Sequence, residues 1–393
     1  MSTLNAQELI AEARHAVGFD DLDDDGLPER LTDLASQLDE RLDDDGRVRA
    51  ENVIRGLLIE RLQLLEARHR LPIADERIER PIVAFGEGRS GTTVLQMLLG
   101  CDPGSRLLEF WEVMRMSPPP ATVDTAERQK EADEDWREIV EQIPKWLVSH
   151  PYNAMLGKNP PEDERLWAVD FRSLPPTAWW RVPTVQFPAF RFERDDVRQY
   201  ELHRMVLQHL QYGAPSRRWV LKGVTHQHRL SALLEAYPDA VFVWIHRDPL
   251  VALASRVQLQ IEVYEGIAGP IDRKGFAAAS VERSVADFTS AATTPLAADP
   301  RIHHLVYQDF IVDPMAAIRD IYSASGLEVT TAFEDGVTRY REQNAPHRFG
   351  RFAYSPDDLG VDLDDLNHRL DPYRERFGVP REPVPRGGAH GVR

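Results

Sequence analysis

Apolar positions recur every three or four residues over 5–17, 28–43 and 47–70, for example at Val53, Leu57, Leu58, Leu62 and Leu65. That spacing puts them on one face of a helix, so the first 70 residues predict three helices. The runs DDLDDDG (20–26) and LDDDG (42–46) separate these segments and end in glycine, as connections between helices often do. Pro72 and Pro81 bracket a linker, after which the texture changes. Ile82–Phe85 is a short, wholly apolar run, the mark of a strand buried on both faces. Further runs of this kind lie at 217–222, 240–246 and 302–307, with a helical pattern at 229–236 and another near 314–325. Strand, helix and strand in succession over 217–246 imply a parallel sheet. The expected organisation is a helical region over 1–80, an α/β domain over 81–380 and a mobile Pro/Gly/Arg-rich tail over 381–393.

Composition narrows the function classes. The chain has 393 residues and a formal net charge of -17. Such acidity excludes a general nucleic-acid binder, whose surface must be basic. It does not exclude a small polyanion held in a local basic pocket. The acidity is also uneven: residues 1–80 carry 11 basic and 20 acidic side chains. A single cysteine, Cys101, leaves no internal disulfide and no thiolate cluster. No apolar run reaches the ~20 residues of a membrane-spanning helix, and the first residues lack the pattern of a secretion signal. A soluble, cytoplasmic protein is the resulting expectation. The aspartate runs lack the ligand spacing of a calcium loop and read as helix caps and loops.

The candidate chemistry starts where the first strand ends. Gly86-Glu87-Gly88-Arg89-Ser90-Gly91-Thr92-Thr93 joins that strand to the helical run VLQMLLG. Gly86, Gly88 and Gly91 allow a tight turn and close approach of a ligand, and successive N–H groups at a helix start cradle an anion. Ser90, Thr92 and Thr93 add hydroxyls and Arg89 adds charge. Gly86 and Gly91 have P-loop spacing, yet Thr92 stands where a nucleotide kinase places lysine. A second element, His246-Arg247-Asp248-Pro249, follows the strand at 240–246, with Ser255 eight residues beyond Arg247. Taken alone it is either a phosphate grip or an ordinary strand-to-helix turn capped by Asp248.

In order along the chain, PIVAFGEGRSGTTVLQMLL, WVLKGVTHQHRLSALLEAYPDAVFVWIHRDPLVALAS and LVYQDFIVDP resemble the sulfotransferases that use 3′-phosphoadenosine 5′-phosphosulfate (PAPS). The helical N-terminus and Trp111-Glu112, followed by Ser117 and Pro118-Pro119-Pro120, are similar to a bacterial branch of that family. The resemblance runs from about residue 5 to Gly378. It implies a P-loop-like three-layer α/β/α sandwich around a central parallel sheet, a metal-free transfer, and a small-molecule acceptor with a hydroxyl or amine.

By the same resemblance, Gly88, Arg89, Ser90, Gly91, Thr92 and Thr93 hold the 5′-phosphosulfate, and Arg247 with Ser255 holds the 3′-phosphate. Lys222 matches a family lysine near the transferring group. The base that removes the acceptor's proton matches Glu112, which fits the branch's Trp-Glu pattern, or Glu109, which fits a looser one. Either is also a candidate ion-pair partner of Arg106 or Arg115, and His203 and His226 are substitutes. Gly350-Arg351-Phe352-Ala353-Tyr354 departs from a family run by placing phenylalanine where relatives have histidine. The aromatics Trp167, Phe171, Trp179, Trp180, Phe187, Phe190 and Phe192 either line a pocket for an apolar acceptor or pack an insert onto the sheet. The N-terminal helices are a candidate cover for the site or a surface for homo-oligomer formation. A P-loop kinase or nucleotide hydrolase, and a non-catalytic nucleotide-binding protein, are the competing readings.

Overall fold

A computed structural model describes residues 3–24, 26–183, 190, 192, 194–345 and 348–383. Three helices open the chain: α1 (Ala6–Val17), α2 (Leu27–Asp39) and α3 (Asp44–Arg70). The aspartate runs serve their ends. Asp43 accepts from the Gly46 N–H at 2.8 Å to cap α3, and Asp24 pairs with Arg30 at 2.6 Å.

The first buried strand is β1 (Ile82–Phe85), which feeds the helix α4 (Thr92–Leu99). Next come β2 (Ser105–Leu107), α5 (Phe110–Met114), α6 (Ala126–Gln142), α7 (Lys145–Ser149), α8 (Pro176–Trp179) and α9 (Asp196–Gln211). The strand-helix-strand unit is β3 (Arg218–Gly223), α10 (Leu230–Ala236) and β4 (Val241–His246). It is followed by α11 (Pro249–Ala268), α12 (Arg273–Thr293), β5 (Ile302–Val306), α13 (Tyr307–Val312), α14 (Pro314–Ala324), α15 (Thr331–Gln343) and α16 (Leu363–Phe377). Four of the five strands fall where the apolar runs predicted. β2 was not anticipated, because its three residues, Ser-Arg-Leu, carry no apolar run; it forms only by pairing with β3 at the sheet edge.

The strands form one parallel sheet in the order β2-β3-β1-β4-β5. Alternate residues of the central strands point to opposite faces. Val83, Phe85, Leu221, Phe242 and Trp244 enter one apolar cluster, together with buried leucines of α1–α3. Ile82, Ala84, Val220, Val243 and Ile245 enter a second, with Leu95 and Leu98 of α4 and Ile318 and Tyr322 of α14. Helices therefore cover both faces, giving the expected α/β/α sandwich. Because all five strands run the same way, the loops after β1, β2, β3 and β4 emerge along one edge, where open α/β sheets carry ligands.

The aromatic stretch 166–192 resolves toward packing. Trp167, Phe171, Trp179, Trp180 and Phe190 are buried in the first cluster and Phe192 packs against it; Phe187 lies outside the described residues. Residues 384–393 of the expected tail also lie outside them, whereas Arg381 and Glu382 make defined contacts.

Candidate active site at the edge of the sheet

The loop after β1 is shaped by two glycines. At Gly86 (φ +152°) a Cβ would stand 2.3 Å from the Ile245 carbonyl oxygen of β4. At Gly91 (φ +102°) it would stand 2.7 Å from the Tyr307 ring. Only glycine admits both the left-handed backbone and this closeness. Between them, Arg89 is itself left-handed (φ +75°), a strained conformation for a residue with a side chain. Among the described residues, no side chain caps the first turn of α4, which starts at Thr92, and the buried Ser90 hydroxyl has no hydrogen-bond partner. Unpaired buried donors are costly, so the loop leaves polar groups whose hydrogen bonds are not made within it.

Glu87 anchors the loop from below. Its buried carboxylate accepts from Arg256 at 2.8 Å, Gln227 at 3.0 Å and His228 at 3.1 Å. Burial pushes its pKa up, but the His228 and Arg256 charges outweigh that and hold it at about 2. Glu87, His228 and Asp287 bring ligand atoms within 4.8 Å of one another, a spacing that suits a metal ion. The Arg256 guanidinium already on Glu87 supplies the positive charge a cation would bring.

The structure brings the two predicted phosphate elements into direct contact. Arg89 Nε donates to the Ser255 hydroxyl at 3.1 Å, and Arg247 Nη1 donates to the Arg89 carbonyl at 3.0 Å. Arg247 lies 4.4 Å from the Tyr307 ring, and its Nε and Nη2 make a two-pronged pair with Glu382 at 2.8 and 2.9 Å. Arg89 Nη1 donates to the Ser149 carbonyl and lies 3.2 Å from His150 Nε2. Burial and the nearby charges of Arg89 and Lys222 depress the His150 pKa, keeping its ring neutral. Tyr152 hydrogen-bonds Thr93 and senses the charges of Lys222 and Arg89. The 350–354 run, despite lacking the histidine, reaches both arginines: Phe352 lies under the Arg89 guanidinium at 5.5 Å, and Tyr354 hydrogen-bonds Arg247.

Lys222 is the penultimate residue of β3 and is 2% exposed. Its Nζ donates to Glu162 at 3.2 Å. Burial lowers its pKa, but Glu162 and Tyr152 more than compensate, so it stays charged. Glu162 was not singled out in the sequence. The run Pro160-Pro161-Glu162-Asp163-Glu164 held the signal, three acids in the middle of an insert between motifs. Each acid finds its own partner. Asp163 meets His226 at 2.9 Å, and Glu164 accepts from the Thr225 N–H at 2.6 Å and its hydroxyl at 2.7 Å. His203 and His226, the substitute bases, are both buried around Asp163, and bond Tyr237 and Tyr200 at 2.5 and 2.6 Å. These histidines serve packing and turn geometry, and His203 is 1% exposed.

Glu109 and Glu112 sit at the sheet edge after β2. They form a reciprocal cap on α5, in which Glu112 Oε2 accepts the Glu109 N–H at 3.0 Å. Glu112 Oε1 pairs with Arg106, whose guanidinium stacks 3.9 Å over Trp219. Glu109 accepts from the Trp111 indole. Among the described residues, neither carboxylate bonds Lys222 or the 86–93 loop.

A glycine-shaped loop, a buried lysine and an arginine–serine pair, gathered along one edge of a parallel sheet, define an α/β protein of the P-loop-like class. The comparisons with known proteins narrow this. A model of the sulfotransferase family matches residues 81–331, and the chain belongs to that family. The omega-hydroxy-beta-dihydromenaquinone-9 sulfotransferases Stf3 of Mycobacterium bovis and Mycobacterium tuberculosis are 33% identical over 131 residues. That stretch is 33% of this chain, and it spans only 33% of the length of either enzyme. Over nearly the whole length the fold is similar to sulfotransferase STF9 from Mycobacterium avium, with a TM-score of 0.81, 25% identity, and 97% and 98% of the two chains covered. Sulfotransferase STF1 from M. tuberculosis follows, with a TM-score of 0.69 and 26% identity, covering 94% and 98%. Among the described residues no helix is long and apolar enough to cross a membrane.

Proposed function

We propose that the chain transfers a sulfuryl group from PAPS to a hydroxyl or amine of a small, apolar acceptor. The observation that carries this reading is the convergence of the 86–93 cradle, Lys222 and the Arg247–Ser255 grip at one sheet edge of a sulfotransferase-family chain. The residues fit such a nucleotide. The unsatisfied Ser90 hydroxyl and the uncapped start of α4 call for anionic oxygens, and Arg89, Lys222 and Arg247 supply three cations. The donor would supply an activated sulfuryl group whose leaving group is a phosphate.

In this reading Gly88–Thr93 hold the 5′-phosphosulfate and Arg247 with Ser255 hold the 3′-phosphate. Lys222, fixed by Glu162, stabilises charge that grows on the transferring and leaving oxygens. The proton of the acceptor goes to a carboxylate at the mouth of the site. Of the three candidates the contacts favour Glu162, which faces Lys222 with 43% of its side chain exposed. Both oxygens of Glu112 are already engaged by Arg106 and the Glu109 N–H, and Glu109 is engaged by Trp111. The 2% exposure of Lys222 keeps the charges in a low dielectric, where they act strongly. The apolar acceptor is supported by the name of the Stf3 enzymes, which act on a hydroxylated menaquinone.

The test is incubation of purified protein with labelled PAPS and panels of hydroxylated lipids, sterols and amines. Transfer of label to an acceptor supports the reading. Failure to bind either PAPS or adenosine 3′,5′-bisphosphate at millimolar concentration refutes it, and magnesium-dependent ATP turnover would favour a kinase or hydrolase instead.

A further inference from the structure

The arginine assigned to the 3′-phosphate already holds an anion that belongs to the chain itself. After α16 the backbone turns at Gly378 and Val379 buries in the core, its N–H bonded to the Arg374 carbonyl at 2.9 Å. The strand of chain that follows runs back over the sheet edge. The Glu382 N–H donates to Asp248 Oδ2 at 2.7 Å, and Asp248 is itself fixed by Arg374, at 2.7 Å from Nη2. This anchoring places the Glu382 carboxylate on Arg247 Nε and Nη2, at 2.8 and 2.9 Å, both side chains about 15% exposed. A planar fork of this kind is the geometry by which arginine takes either a carboxylate or a phosphate.

We infer that Glu382 is an internal competitor for the 3′-phosphate of the donor nucleotide, and so sets how strongly the site distinguishes 3′-phosphorylated from unphosphorylated nucleotides. The inference rests on the proposed function, in which Arg247 binds that phosphate. A phosphomonoester carries between -1.5 and -2 charges at neutral pH, against -1 on a carboxylate. It displaces Glu382 and takes the same fork, whereas a 3′-hydroxyl, being neutral, has no means to do so. Part of the binding strength of the 3′-phosphate is then spent on breaking the pair. A nucleotide without that phosphate leaves the pair in place and is indifferent to it.

Calorimetric titration with adenosine 3′,5′-bisphosphate and with adenosine 5′-phosphate tests this on the intact chain, on Glu382→Gln, and on a chain ending at Arg381. Both variants are expected to bind the bisphosphate roughly tenfold more tightly, about 1.4 kcal/mol, with the monophosphate changed by less than about twofold. Unchanged or weaker bisphosphate binding by Glu382→Gln overturns the inference, weaker binding meaning that Glu382 holds Arg247 in its working pose. A gain in the shortened chain but not in Glu382→Gln also overturns it, since the strand rather than its carboxylate would then be the obstacle. If no form binds the bisphosphate, the proposed function falls, and the inference with it.

Discussion

Glu87→Gln removes the charge that anchors the 86–93 loop while keeping the shape of the side chain. The wild-type carboxylate is buried among Arg256, His228 and Gln227, which hold it at about 2 against an ordinary 4.5. At about 1.4 kcal/mol per pH unit, that depression contributes about 3 kcal/mol of stability at pH 7. The sign follows from the direction. A carboxylate whose folded pKa is depressed stabilises fully above its unfolded pKa, and the contribution is lost as pH falls through the folded value. The contribution should therefore stay near 3 kcal/mol down to pH 5, then shrink to about 2 kcal/mol at pH 3.5. His228 adds the opposite trend. Burial lowers its pKa, but Glu87 raises it further, so its share is present below pH 6.5 and lost as pH rises through the folded value. Urea unfolding of wild type and Glu87→Gln from pH 8 to pH 3.5 reads both. A difference near 3 kcal/mol at pH 6–7 that narrows toward acid is expected. A difference below 1 kcal/mol at pH 7, or one that does not change with pH, refutes the claim that charge on Glu87 anchors the loop.

Four further outcomes test the rest of the site. Arg247→Ala should weaken adenosine 3′,5′-bisphosphate by about 10- to 150-fold, as expected for a charge-assisted contact of 1.5–3 kcal/mol; calorimetry showing equal losses for adenosine 5′-phosphate would remove Arg247 from the 3′-phosphate. Glu162→Gln should cut turnover per folded molecule by about 10²–10⁴-fold in a transfer assay, with nucleotide affinity little changed, while stability falls because buried Lys222 loses its charged partner. Glu112→Gln should cost about 1–3 kcal/mol of stability, through the weakened contact of this buried side chain with half-buried Arg106, with turnover per folded molecule within tenfold of wild type; a large loss of turnover here and none in Glu162→Gln would make Glu112 the base. Gly86→Ala should cost at least about 3 kcal/mol, because its Cβ would meet the fixed Ile245 carbonyl at 2.3 Å, and a urea midpoint matching wild type would contradict the loop geometry.

Much of the fold was legible because its signals are local. A four-residue apolar run such as Ile82–Phe85 has no stable place except inside a sheet, and helix caps such as Asn5 and Asp43 act within three residues of themselves. The tight turn after β1 was legible for the same reason, since Gly86, Arg89 and Gly91 take positive φ within a few residues of one another. β2 was not, because an edge strand of Ser-Arg-Leu owes its existence to β3 alongside it. The aromatic stretch around Trp167 and Trp179 was equally open between pocket and core, since only the neighbours that close over a ring decide which it is.

The sequence by itself determined that this chain holds a parallel α/β sheet with a glycine-shaped loop after its first strand and an arginine–serine element after another, because these depend on residues close together in the chain. Tertiary structure alone decided how they combine. It joined Arg89 to Ser255 and Arg247 across more than 150 residues, set Glu162 rather than Glu112 against Lys222, and brought Glu382 from the far end onto Arg247. A charged side chain in the sequence is only a charge. Which opposite charge it meets, in how much water, is fixed when the strands align and their loops are brought to one edge.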